Sequence, residues 1–163
     1  MHQHEIKIII TQYHDVNELP ENERQLIFAA RGSAPKAYAP YSGFKVGAAL
    51  MMDDGSIVVG NNQENASSPV GSCAERSALF WANANFPDVA VTAIAITAID
   101  HSGNRAVNLS PCGACRQALL ETEIRFKQPI RVILDSRDQI DVLDNVKSLL
   151  PLSFNVDSMF LAR

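Results

Sequence analysis

The sequence predicts an α/β fold in which a mixed sheet of about five strands is covered by helices on both sides. After an opening helix its patterned segments run in the order hairpin, helix, strand, helix, strand, strand. Residues 91–98 form a β-rich stretch without a charge, as expected of a central strand buried on both faces. Asp53-Asp54-Gly55, set between two strand-like runs, is a hairpin signal.

Along the chain, residues 1–20 read as a leader: Ile6, Ile8 and Ile10 give a weak strand signal, and Leu19-Pro20 ends it. Over residues 21–37 the apolar positions Leu26, Ile27, Ala30, Ala34 and Ala37 suit one helix face, with Gly32 and Pro35 weakening its second half. Ala39-Pro40-Tyr41-Ser42-Gly43 is a turn. Residues 44–52 alternate Phe44, Val46, Ala48 and Leu50 against their neighbours, a strand pattern, and residues 56–59 return it. A polar connection, residues 60–72, leads to a helix over 73–86 with Ala74, Ala78, Leu79, Trp81 and Ala82 on its apolar side. Beyond the strand at 91–98 and a loop over 100–109, Ser110-Pro111 marks a helix start, because Ser caps free amides and Pro fits the first helical position. That helix runs to Glu123; strands follow at 130–134 and 138–143, then a short helix at 146–150 before Pro151.

The 163 residues suit one domain, 1–163, with 1–20 as its leader. Fourteen Lys and Arg against eighteen Asp and Glu leave a formal charge of −4, which argues against nucleic acid as a partner. No run approaches the length of a membrane span, so no membrane partner is expected. The first residues lack the sections of a secretory signal, and three cysteines cannot all pair internally. A reducing, cytoplasmic setting with cysteines kept for metal or chemistry is the expectation.

All three cysteines lie in two short segments, Cys73-Ala74-Glu75-Arg76 and Pro111-Cys112-Gly113-Ala114-Cys115, both at predicted helix starts. A lone C-x-x-C could be half a zinc ribbon or a redox pair. The third cysteine, and Glu75 two residues after it, sharpen the signal. Three thiolates fill three tetrahedral positions on Zn²⁺ and leave a fourth for water. Helix N-termini lower thiol pKa values, and Arg76 beside the site offsets part of the excess negative charge. A carboxylate close to that water and to an aminopyrimidine edge can move the protons that the attack, ring nitrogen N3 and the departing amine require. The competing reading is a closed structural zinc site with His2, His4, His14 or His101 as fourth ligand and Glu75 a solvated helix residue; none of these histidines has the usual ligand spacing to the cysteines. The donor set with a non-ligating Glu and P-C-x-x-C matches the known signature of zinc deaminases.

From residue 37 to residue 154 the chain resembles the cytidine deaminases of the small homotetrameric nucleoside type. The resemblance is carried by Ala39-Pro40-Tyr41-Ser42-Gly43-Phe44-Lys45-Val46-Gly47-Ala48-Ala49, by Asn62-Gln63-Glu64-Asn65-Ala66, by Cys73-Ala74-Glu75-Arg76, by Pro111-Cys112-Gly113-Ala114-Cys115-Arg116-Gln117, and by Leu149-Leu150-Pro151 with Phe154. It implies a three-layer α/β/α fold, one Zn²⁺ per subunit, and hydrolysis of cytidine and 2′-deoxycytidine to the uridines and ammonia. It further implies Cys73, Cys112 and Cys115 as ligands, Glu75 as proton shuttle and Arg76 as the charge-compensating neighbour. Asn62 and Glu64 would hold the ribose 3′-hydroxyl, a task their chemistry suits, although a capped polar loop could use the same residues. Phe44 would pack on the nucleoside, the backbone around Ala66 and Ala74 would receive the base edge, and Phe154 would enter a neighbouring subunit's pocket. By residue type alone either Phe could be ordinary core. Ser68 departs from the Tyr that many relatives carry there.

Other readings of the same residues are a deaminase of another aminated heterocycle, a polynucleotide editor, and a zinc-stabilised binding module without chemistry. The Asn62-x-Glu64 pair, the acidic charge balance and the retained Glu75 argue against them in turn.

Overall fold

The structure is a computed structural model and describes residues 1–159. Residues 160–163, the end of a tail to which the sequence assigns no role, lie outside the described residues.

One six-stranded sheet is built from β1 (Thr11–Tyr13), β2 (Lys45–Met52), β3 (Ile57–Asn61), β4 (Val91–Ile99), β5 (Arg131–Asp135) and β6 (Ile140–Leu143), in the order β1-β6-β5-β4-β2-β3. The sheet is mixed: β4 and β5 are parallel and all other neighbours antiparallel. The helix α1 (Glu21–Ser33) covers one face; α2 (Ala74–Asn85) and α3 (Gly113–Phe126) cover the other. A short α4 (Val156–Met159) follows near the C-terminus.

The pleat of β4 explains the three layers, because successive side chains leave a strand on opposite faces. Ala93 and Ala95 join Leu26, Ile27 and Ala30 of α1 in one core. Ile94 and Ile96 join Leu79 of α2 and Leu119 and Leu120 of α3 in the other. Each fully buried Leu or Ile contributes about 1.5–3 kcal/mol, so the double burial makes β4 the spine of the fold.

Helix-to-sheet distance is set by two glycines. A Cβ on Gly47 would lie 2.1 Å from the Ala30 carbonyl oxygen, and one on Gly60 would lie 2.6 Å from the Ala78 nitrogen. Only residues without a side chain let α1 approach β2, and α2 approach β3, this closely.

Several boundaries differ from the sequence expectation. The sheet gains a sixth strand because the leader contributes β1, at Thr11–Tyr13 rather than at Ile6–Ile10. Its partner β6 is only four residues long, and beyond it Asn145 caps a 3-10 turn, so nothing continues the ladder; Ile6, Ile8, Ile9 and Ile10 are exposed. The opening helix stops at Ser33, and a 3-10 turn carries Pro35. Trp81, expected on the buried side of α2, is 53% exposed and packs edge-on against Phe86. The face of α2 against the sheet is instead lined by the smaller Ala74, Ala78, Leu79 and Ala82.

Candidate active site

Both cysteine segments end up at helix N-termini on the same side of the sheet. Cys73 is the N-cap of α2 and Cys112 the N-cap of α3; both have extended backbones, and their carbonyls accept from Ser77 and Arg116, opening each helix. The expected start at Ser110-Pro111 therefore moves to Gly113. The Ser110 hydroxyl does not cap the helix but accepts from Arg116 Nη2 at 2.7 Å, while Arg116 Nε and Nη1 donate to the carbonyls of Pro111 and Leu149. Arg116 thus ties the ligand loop to the C-terminal segment.

The three sulfurs converge. Cys112 Sγ lies 3.9 Å from Cys73 Sγ and 3.4 Å from Cys115 Sγ. Four tetrahedral ligands at a Zn–S length of about 2.3 Å would stand ~3.8 Å apart, so three sulfurs all within 4.8 Å of one another are near enough to hold one zinc ion. Among the described residues no other cluster of three or more His, Cys, Asp or Glu side chains is placed to share a cation, and no histidine belongs to this one. The donor set is thus three thiols with a fourth position left open, as the catalytic reading requires.

The electrostatics suit a cation. Burial pushes the Cys112 thiol up, but the backbone amides of Cys115 and Ala114 and the adjoining thiols outweigh it and hold the group below the usual thiol range. Cys115 is driven upward by burial and by the negative charge of Glu75, Cys73 and Cys112. A divalent ion at their centre reverses that repulsion, since coordinated thiols deprotonate. Arg76 Nη2 donates to Cys73 Sγ at 3.7 Å, while its buried Nε has no protein partner. One guanidinium beside three sulfurs spreads their negative charge.

Glu75, in the first turn of α2, is 5% exposed. Burial pushes its carboxyl above the ordinary value, opposed by its own backbone amide, by Cys115 and by Arg76. A carboxyl whose neutral form is favoured by burial is suited to carry a proton as well as to accept one.

A cavity of about 590 Å³ opens in front of these groups. Cys73, Cys112, Glu75 and Arg76 line it together with Phe44, Asn62, Glu64 and Ala66. Asn62 and Glu64, two residues apart after β3, both line it. Asn62 Oδ1 accepts from the Val46 amide at 2.7 Å and its Nδ2 donates to the Phe44 carbonyl at 2.9 Å. The Glu64 carboxylate accepts from the Tyr41 amide at 2.9 Å, the Ser42 amide at 3.3 Å and the Ser42 hydroxyl. The Ser42 bond, then that from Tyr41, lowers the carboxyl of Glu64.

Two expected residues stand apart. Ala74 is fully buried at the start of α2 and does not line the cavity, and Phe154 is 62% exposed outside it. Tyr41, Ile96, Leu109 and Ser110, none of them a site residue by the sequence, also line the cavity. A weak signal existed for Tyr41, which sits in the turn before β2, and none for Ile96, one apolar residue among many in β4. Ser68, at the departure from the usual Tyr, begins a 3-10 turn on the cavity rim.

A three-layer sheet protein with a Cys₃ site at two helix N-termini and a buried carboxylate beside it is a metal-dependent hydrolase by construction. Residues 20–127 match the family model of the cytidine and deoxycytidylate deaminase zinc-binding region, and the chain belongs to that family. A cytidine deaminase of Halalkalibacterium halodurans is 39% identical over 141 residues, covering 85% of this chain and 98% of its own. The crystal structure of a cytidine deaminase from Burkholderia pseudomallei superposes with a TM-score of 0.66 at 41% identity, covering 80% and 97% of the two chains. That of the Mycobacterium tuberculosis cytidine deaminase superposes with a TM-score of 0.62 at 32% identity, covering 82% and 98%.

Proposed function

We infer that the chain is a zinc-dependent deaminase that hydrolyses cytidine and 2′-deoxycytidine to uridine and 2′-deoxyuridine with release of ammonia. The single observation that carries this reading is the juxtaposition, across one cavity, of a three-thiol site with buried Glu75 and of the Asn62–Glu64 pair. The first arrangement suits hydrolysis of an aminated ring, and the second suits a sugar hydroxyl.

Cys73, Cys112 and Cys115 would hold the zinc, which when bound polarises water and lowers its pKa. Glu75 takes one proton of the attacking water and passes it to ring nitrogen N3, then takes the second, from the hydroxyl now on C4, and passes it to the amine, which leaves as ammonia. The net change is one water consumed, the C4–N bond broken and a C4 carbonyl formed. Its low exposure keeps bulk water from competing for those protons. Arg76 compensates the thiolates. Phe44 packs on the nucleoside, and the backbone around Ala66 and Ala74 receives the base edge; Cys73 and Glu75, on either side of Ala74, line the cavity.

Among the described residues Arg76 is the one basic side chain lining the cavity, and it donates to sulfur, which supports a nucleoside rather than a nucleotide as substrate. Exposed Phe154, with Phe80 and Trp81 exposed side by side on α2, supports assembly into a homotetramer in which Phe154 completes a neighbour's pocket. Three free thiols suit a reducing, cytoplasmic setting. Among the described residues no helix is long and apolar enough to cross a membrane.

The test is ammonia release from cytidine, 2′-deoxycytidine, cytosine, CMP and adenosine by the zinc-loaded protein. Turnover of the two cytidine nucleosides is expected, with cytosine slower by orders of magnitude because the sugar-facing groups are left unpaired. Equal kcat/KM for cytosine and cytidine removes the sugar role from Asn62 and Glu64. No turnover of either nucleoside removes the reaction.

A further inference from the structure

Between β4 and α3 the chain makes a long excursion, residues 100–112, that ends in a zinc-site cysteine. Of residues 100–110 only Ala106 is buried, so apolar packing does not fix this segment. Polar staples do: some are internal to the segment, and a set from Asp100, Arg105, Ala106 and Leu109 leads to Asp135 and the turn after β5. Arg105 Nη1 donates to Asp135 Oδ1 at 2.7 Å and to the Ser136 carbonyl, and its Nη2 donates to the Arg137 carbonyl. Arg137 returns the contact: its amide donates to the Ala106 carbonyl at 2.9 Å, its Nε to the Arg105 carbonyl and its Nη2 to Asp100. The Leu109 amide, three residues before Cys112, donates to Ser136 Oγ at 3.0 Å. Asp135 itself is wholly buried and is gripped from the other side by Arg31 of α1, at 2.8 and 2.7 Å.

We propose that Asp135 and Ser136 are positioning residues of the active site, acting through Arg105 and Leu109 to set the cavity wall and the ligand loop that follows it. None of residues 135–137 lines the cavity, whereas Leu109, Ser110 and Cys112 do. The chain from Leu109 to Cys112 is short and carries Pro111, so a displacement at Leu109 passes to the thiol with little slack. On the far side of the same segment Arg116 holds the Pro111 carbonyl and the Ser110 hydroxyl. The wall is thereby clamped at both ends: by the β5 turn before it and by α3 after it. Parallel β4 and β5 both end at this edge, which is where an open α/β sheet places its ligand.

The proposal rests on the deaminase reading, and its test separates the two. Ser136→Ala and Arg105→Gln are compared with the wild-type homo-oligomer in three measurements: zinc release to a chromophoric chelator, kcat and KM for cytidine, and Tm. Loss of one hydrogen bond in Ser136→Ala is expected to raise KM about 3–10-fold, with kcat less affected and Tm within a few degrees. Arg105→Gln is expected to release zinc about 10-fold faster, the scale seen when groups behind metal ligands are removed. Zinc release needs no substrate, so it reports on the positioning role even if wild-type turnover fails on every pyrimidine. Wild-type KM in Ser136→Ala together with wild-type zinc release in Arg105→Gln overturns the proposal, whatever happens to Tm. Should Arg105→Gln not fold, KM and zinc release in Ser136→Ala decide.

Discussion

Replacing Gly60 by Ala tests whether the close seat of α2 on β3 is what brings the zinc site together. The added Cβ would stand 2.6 Å from the Ala78 nitrogen, 2.7 Å from the Ala74 carbonyl oxygen and 2.9 Å from the Ala78 Cβ. All three belong to the first turns of α2, and two are backbone, so no side-chain rotation relieves the clash. Restoring ordinary contact needs a displacement of roughly 0.8 Å away from the sheet. Overpacking of this kind costs about 1–3 kcal/mol, offset by ~0.4–1 kcal/mol from the stiffer unfolded chain. The net, about 1–2 kcal/mol, lowers Tm by roughly 2–8 °C in a chain of this size. Function suffers more than stability. Cys73 and Glu75 ride on the displaced turn while Cys112 and Cys115 stay with α3, and zinc sites tolerate only about 0.2 Å in ligand distance. Zinc content by elemental analysis and kcat/KM for cytidine are therefore expected to fall at least ~10-fold in protein that remains folded by circular dichroism. Full zinc occupancy and unchanged kinetics in Gly60→Ala would refute the reasoning, because the helix would then have moved without moving its cargo.

Glu75→Gln preserves shape and removes the proton-carrying oxygen; kcat is expected to drop by about 10²–10⁴ with zinc content unchanged, and near-normal turnover of the amide variant excludes the proton role. Glu64 sits below the ordinary carboxylate range because Ser42, then Tyr41, donates to it. The stability this bond set lends the 41–43 turn is complete above the ordinary carboxylate pKa of about 4.3 and is lost as pH falls through the lower folded value. Ser42→Ala removes the largest of those bonds, so the acid-side rise in KM is expected to begin at higher pH while kcat at neutral pH holds; an unmoved KM profile counts against the clamp.

Alternation and turn chemistry made most of the fold legible before any coordinates. The hairpin of β2 and β3 follows from Asp53-Asp54-Gly55, and β4 from a run with no charge to expose. What stayed hidden depends on partners distant in sequence. Whether Ile6–Ile10 or Thr11–Tyr13 pairs with the sheet is decided by where β6 ends, and residues 1–20 contain nothing that specifies it. The start of α3 differs from the sequence expectation for a similar reason: Ser110 has the right chemistry for a cap, but Arg116, in the first turn of the helix, takes its hydroxyl. Asp135 was invisible as a site-building residue because it closes an apolar strand, while its two guanidinium partners come from α1 and from the excursion after β4.

The metal half of the site was legible for the opposite reason. Cys73 with Glu75, and Cys112 with Cys115, are local spacings fixed by helix starts, so the chemistry is written within a few residues. The part of the site proposed to take the sugar is a distributed structure whose members look like loop. Asn62 and Glu64 are both engaged by protein groups, yet neither is saturated. Asn62 Nδ2 keeps one proton beyond its bond to Phe44, and Glu64 Oε1 accepts only from the Ser42 hydroxyl. A sugar hydroxyl that accepts from the first and donates to the second fits what remains, while an alkyl group in its place satisfies neither. The bonds already present hold both side chains in place before substrate arrives, which lowers the ordering cost of binding. If Asn62 and Glu64 take the sugar as proposed, selectivity for a nucleoside over its free base comes from the turn at 41–43 and the end of β3 rather than from the zinc, which would meet the same ring in either compound.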